Sequence, residues 1–62
     1  MKLLDIRNLH FILGEWYCVI YPNGKRFRFK FIGGNPPKVE TEDGRIIPLH
    51  EATKDAVEIY EE

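Results

Sequence analysis

The sequence predicts a small, mainly β domain (β+α): a five-stranded antiparallel, partly open barrel of SH3-like or OB-like type, capped by a C-terminal helix. Three observations in the 62 residues lead there. Two turn signals, Pro22-Asn23-Gly24 and Asp43-Gly44, each lie between β-rich runs. A glycine- and proline-rich break from Gly33 to Pro37 separates the two hairpins so formed. After Pro48 the apolar positions change from a period of two to helical spacing. A chain of this length holds one domain, residues 1–62, divided into a meander over 9–33, a second hairpin over 38–48 and a helix over 49–61.

Met1 to Asn8 reads as an extended lead-in or a single turn. Leu3, Ile6 and Leu9 fall at helical spacing, but the run is short and lacks a cap. Leu9 to Leu13 (Leu-His-Phe-Ile-Leu) has strand composition, and Gly14-Glu15 suits a two-residue turn with glycine at the first central position. Residues 16–21 and 25–32 complete a three-stranded meander. Its middle strand is apolar on both faces, as a central strand can be.

The turn inside the second half of that meander has an explicit chemistry. Pro22 pre-sets φ at the first central position, and Asn23 and Gly24 tolerate the conformations required after it, Gly24 most easily at positive φ. Two registers are open. With a three-residue loop and Gly24 as a bulge, Tyr17 faces Phe29, Val19 faces Phe27, and Trp16, Cys18 and Ile20 share a face with Lys30, Arg28 and Arg26. With Asn23-Gly24 alone as the loop, Trp16, Cys18 and Ile20 meet the phenylalanines instead. Pro22 favours the first, since in the second it would occupy a paired position without an N–H to donate. In both, Arg26, Arg28 and Lys30 alternate with Phe27, Phe29 and Phe31, so this strand has one cationic and one apolar face.

Paired glycines and prolines end the meander at residues 33–37. Lys38 to Thr41 and Arg45 to Ile47 then pair across Asp43-Gly44, with Glu40, Glu42 and Asp43 at the outer positions. Pro48 stops that strand and opens a helix. Leu49, Ala52, Ala56, Ile59 and Tyr60 form its sheet-facing stripe, and Glu51, Asp55, Glu58, Glu61 and Glu62 its other side. Acids at its end oppose the helix dipole, so the last turn frays. This order of elements resembles, in architecture alone, the small archaeal chromatin proteins that join an SH3-like barrel to a terminal helix. Those are strongly basic and this chain is slightly acidic, so no residue role is carried over.

The net charge of −1 hides an asymmetry: residues 1–38 carry +5 and residues 39–62 carry −6. Such a split marks either an anion-binding face with an acidic tail or two halves that neutralise each other. There is no serine and no glutamine, while Glu, Lys, Arg and Ile are plentiful, a bias reported for proteins of hot environments. No apolar run approaches the roughly 18 residues of a membrane span and no leader pattern opens the chain, so a cytoplasmic protein without a membrane partner is expected.

Chemistry-bearing constellations are sparse. Cys18 is the only cysteine and lies in mid-strand, where a small buried thiol is the common outcome. Cys18, His10 and His50 could ligate zinc by residue type, but no C-x-x-C or H-x-x-H spacing brings them together, so no metal and no cofactor is expected. Glu40, Glu42 and Asp43 sit at an expected solvated turn with nothing apolar to raise a carboxyl pKa. Gly33-Gly34 leads into Asn-Pro-Pro and not into a helix, so it is no phosphate loop.

A non-enzymatic binding module remains. Its sharpest form is low-specificity nucleic-acid contact through residues 15–32, with Lys25, Arg26, Arg28 and Lys30 on phosphates and Trp16, Tyr17 and Tyr21 offering stacking surfaces. Against it stands the plain role of long side chains lying over a half-solvated sheet. The alternative is a protein-interaction module or inhibitor, of viral or mobile-element type, that uses the acidic C-terminal half or a sheet edge against a protein partner or a second copy, as in a homodimer.

Overall fold

Two equivalent turns set the hairpins from which the sheet grows. In the first, the Gly24 N–H donates to the Tyr21 carbonyl and the Tyr21 N–H to the Lys25 carbonyl. In the second, Gly44 donates to Thr41 and Thr41 to Arg45 in the same pattern. Gly24 and Gly44 take φ of 83° and 86°, the left-handed conformation that a bulge glycine supplies. Lys25 is anchored to the Asn23 side chain, while the Thr41 hydroxyl donates to Asp43 and accepts the Arg45 N–H.

The computed structural model describes all residues, 1–62. It is mainly β: six antiparallel strands in one open sheet and one short helix. In chain order these are β1 (Lys2–Leu3), β2 (Trp16–Ile20), β3 (Arg26–Gly33), β4 (Lys38–Thr41), β5 (Ile46–Pro48), α1 (Leu49–Thr53) and β6 (Glu58–Glu61). The sheet order is β1-β6-β2-β3-β4-β5, which leaves two- and three-residue strands at its edges. Short edges, one of them ending in Pro48, give a second chain little backbone to pair with.

The register between β2 and β3 is the bulged one: Trp16 opposite Lys30, Tyr17 opposite Phe29, Cys18 opposite Arg28, Val19 opposite Phe27. Alternation then defines the core face. Tyr17, Val19, Phe29, Val39 and Ile59 are fully buried on it, and Ala52 of α1 closes over them. Phe11 completes this layer, lying edge-on to Tyr17 at 4.9 Å and stacked on Phe31 at 5.7 Å.

Three expectations are corrected. Residues 9–13 form no strand. Leu9 and Phe11 do reach the core, but the place beside β2 is taken by β6, and the segment crosses the core face as a loop. Gly14 occupies the second, not the first, central position of the turn from Ile12 to Glu15, with φ 85°. The helix over 49–61 is confined to Leu49–Thr53, and residues 58–61 are a strand inserted between β1 and β2. Val57, Ile59 and Tyr60 are β-favouring residues, and β2, apolar on both faces, needed a second neighbour to satisfy its backbone. β6 takes the place expected for residues 9–13, and β1, paired to its outer edge, brings the sheet from five strands to six.

Candidate interaction face

The face opposite the core carries neither helix nor loop. It is built in columns, one per strand. β2 contributes Trp16, Cys18 and Ile20; β3 contributes Arg26, Arg28 and Lys30; β6 and its end contribute Glu58, Tyr60 and Glu62. On the far side β4 adds Lys38 and Glu40, and β5 adds Ile46. Trp16, Ile20 and Tyr60 are half-buried, and Cys18 is buried between them at 5% exposure.

Arg28 is the hub of this face. Its guanidinium lies 5.1 Å from the Trp16 ring centroid, within cation–π range. Nε and Nη2 donate to the two carboxylate oxygens of Glu62, each at 2.6 Å, and Nη1 donates to Glu42 at 3.1 Å. This fork-to-fork pairing holds the Arg28 pKa further above its already high value, chiefly through the Glu62 hydrogen bond. The same hydrogen bond keeps the Glu62 carboxyl below the usual range. Lys30 pairs with Glu40 at 3.7 Å. All three pairings join the basic half of the chain to the acidic half, so the two halves partly neutralise each other across this face through Arg28 and Lys30.

Arg26 and Lys25 make no ion pair. Arg26 sits level with Ile20 and, one strand further, Glu58. Tyr60 stands near them; burial pushes its phenol pKa up, and the Glu58 carboxylate adds to that shift.

Two residues expected to offer stacking are not on this face. Tyr17 is 0% exposed in the core, where its hydroxyl accepts the Ile12 N–H at 2.7 Å. Tyr21 is half-buried against the core, and its hydroxyl donates to the Ala52 carbonyl at 2.7 Å. Both rings are turned toward the core because the bulged register points the odd positions of β2 and its extension inward. Of the seven residues, Trp16, Arg26, Arg28 and Lys30 do share the open face, and Lys25 is exposed at the turn beside it.

Glu58, Tyr60 and Glu62 were missed as members of this face because the helical reading sent Ile59 and Tyr60 inward together. The alternation from Val57 to Tyr60 was the signal that could have placed them. No three His, Cys, Asp or Glu side chains converge in a group that could hold a metal ion. No helix is long and apolar enough to cross a membrane. No protein-family model matches the chain, and no curated protein or solved structure is significantly similar to it.

Proposed function

We propose that this chain is a non-enzymatic protein-interaction module and that its open sheet face is the contact surface. The observation that carries this reading is the make-up of the face: Trp16, Tyr60 and Ile20 around an arginine already fixed in place by Glu62, Glu42 and the Trp16 ring. Tryptophan, tyrosine and arginine are the residues that supply most of the energy at protein interfaces, and a pre-ordered arginine loses little further entropy on binding. The reading does not depend on the SH3-like or OB-like barrel type, because one sheet supplies the whole face.

The same pairings count against nucleic acid. A phosphate could take Arg28 or Lys30 only by displacing a carboxylate, and the acids that would remain nearby repel the next phosphate. Lys25, Arg26 and Lys38 are the unpaired cations on or beside the face that support the nucleic-acid reading, and three such contacts imply a modest salt dependence.

Two measurements test the proposal. Trp16 fluorescence is followed during titration with single-stranded and duplex oligonucleotides at low and moderate salt. No salt-sensitive quenching is expected, and steep quenching would overturn the reading in favour of nucleic acid. In parallel, immobilised protein is used to capture partners from an extract of the source cells. A partner retained by the wild type and by Asp43→Asn but lost by Trp16→Ala supports the open face as the contact surface, whereas retention by Trp16→Ala refutes it.

A further inference from the structure

The three central columns of the open face have an ordered chemistry. The β2 column is apolar, with Trp16, Cys18 and Ile20; the β3 column on one side is basic, and the β6 column on the other is acidic apart from Tyr60. The cross-strand register also fixes the levels. Arg26 and Glu58 flank Ile20, Arg28 and Tyr60 flank Cys18, and Lys30 and Glu62 flank Trp16.

We infer that the occupant of this face is a second copy of the chain, packed face to face about a two-fold axis that runs parallel to β2. This rests on the reading of the open face as a protein-contact surface and names its partner. Rotation about that axis keeps each residue at its level but exchanges left and right. The apolar columns then meet each other, and the acidic column of each copy lies over the basic column of its mate. Glu58 comes opposite the partner's Arg26, Tyr60 opposite the partner's Arg28, and Glu62 opposite the partner's Lys30. The other in-plane axis, perpendicular to the strands, would set arginine over arginine and glutamate over glutamate, so charge alone selects between them.

Twist does not spoil the match. Aligned sheets cross at about 30°, which over a half-column of about 7 Å displaces the end residues by only about 3.5 Å, within the reach of Arg and Glu side chains. The 26 strand residues, each covering about 4.8 by 3.3 Å, give roughly 400 Å² of projected face per copy. With side-chain relief the pair lies near the lower bound of about 1,000–1,200 Å² for specific interfaces, and the dissociation constant is expected to be on the order of micromolar.

Arg26 and Glu58 provide the cleanest test, because neither is in an ion pair within one chain. Sedimentation equilibrium from about 1 µM to 1 mM, with reductant present, measures the dimer constant. Wild type is expected to dimerise, with a blue shift of Trp16 emission that follows the dimer fraction. Arg26→Glu places two like-charge pairs in each dimer and is expected to weaken association by about tenfold or more. Arg26→Glu combined with Glu58→Arg restores opposite charges at both positions and is expected to return the constant to within about threefold of wild type. Circular dichroism checks that all three proteins are folded.

A monomer at every concentration overturns the dimer, as does a dimer indifferent to Arg26→Glu or a double variant no better than the single one. Association that disappears with reductant also overturns it, since facing sheets hold the two Cys18 backbones about 10 Å apart, beyond the roughly 7 Å limit for a disulfide. The monomer result would leave the open face as a surface for a different protein, a point decided separately by whether Trp16→Ala loses the captured partner.

Discussion

Shortening Ile59 and shortening Tyr60 have very different consequences if residues 58–61 form a strand. Ile59 is 1% exposed in the core opposite Val19, while its neighbour Tyr60 points to the open face. Ile59→Ala deletes three carbons, worth about 2.4 kcal/mol at about 0.8 kcal/mol each, before the cavity is counted. The cavity brings the expected cost to about 3–4 kcal/mol, within the usual range for such truncations. A domain of this length holds roughly 3–9 kcal/mol in all, so the variant is expected to be partly or wholly unfolded at 25 °C. Ile59→Val is the graded version, at about 1 kcal/mol and a fall in Tm of about 4–8 °C. Tyr60→Ala is expected to cost less than half as much as Ile59→Ala. Urea and thermal unfolding by circular dichroism at sub-micromolar concentration, below the expected dimer constant, provide the comparison. Equal losses at the two positions would refute the strand, because only a helix carrying Ile59 and Tyr60 on one stripe buries both.

Other consequences are as specific. Tyr17→Phe removes the acceptor of the Ile12 N–H and is expected to destabilise by about 1 kcal/mol in urea unfolding, with the Phe11 loop showing faster amide exchange. Gly24→Ala meets no atom within 4 Å, so its expected cost of about 1–2 kcal/mol is entirely that of a Cβ at φ 83°; a neutral result would refute the bulge turn. The Glu62 and Asp43 carboxyls both lie below their ordinary values of 4.5 and 3.8, Glu62 chiefly through Arg28 and Asp43 chiefly through the Thr41 hydroxyl. A lowered carboxyl pKa stabilises the fold at pH above the ordinary value and ceases to do so as pH falls through the folded one. Tm is therefore expected to be flat from pH 7 to about 5 and to fall below that, with Glu62→Gln showing a shallower fall.

Much of the sheet was legible because its local chemistry leaves few choices. Pro22 has no N–H to give to a ladder, so it favoured the bulged loop over the two-residue one that would have put Trp16 in the core, and the bulged register is the one observed. Asp43-Gly44 likewise placed the second hairpin, and Pro48 the start of α1. What was not legible depended on competition between distant segments. Leu9 to Leu13 has the composition of a strand, and residues 58–61 fit a helical stripe through Ile59 and a period of two through Val57 to Tyr60. Only one of them could pair with the free edge of β2. Residues 58–61 took it, through Val19–Ile59 and Cys18–Tyr60, and the earlier segment contributed its Leu9 and Phe11 side chains without its backbone.

That competition also made the open face. With β6 beside β2, the acidic end of the chain is carried to within hydrogen-bond distance of Arg28, and Tyr60 is turned outward beside Cys18. Had residues 49–61 formed one helix, Glu58 and Glu62 would have lain on its solvent side, and the cationic strand would have kept only Glu40 and Glu42 of the second hairpin as partners. The charge split of the sequence is therefore consistent with two very different surfaces, an anion-binding face or a balanced one, and strand order decides between them. Substitutions that remove the acid without disturbing β6 pairing or the core provide the direct probe. Glu62→Ala deletes the bidentate partner of Arg28 and leaves Ile59 and the β6 ladder in place, so it is expected to free Arg28 in a folded protein, checked by circular dichroism. A variant of this kind that gained salt-sensitive oligonucleotide binding would show that the acidic strand is what keeps the basic hairpin from acting as a phosphate surface.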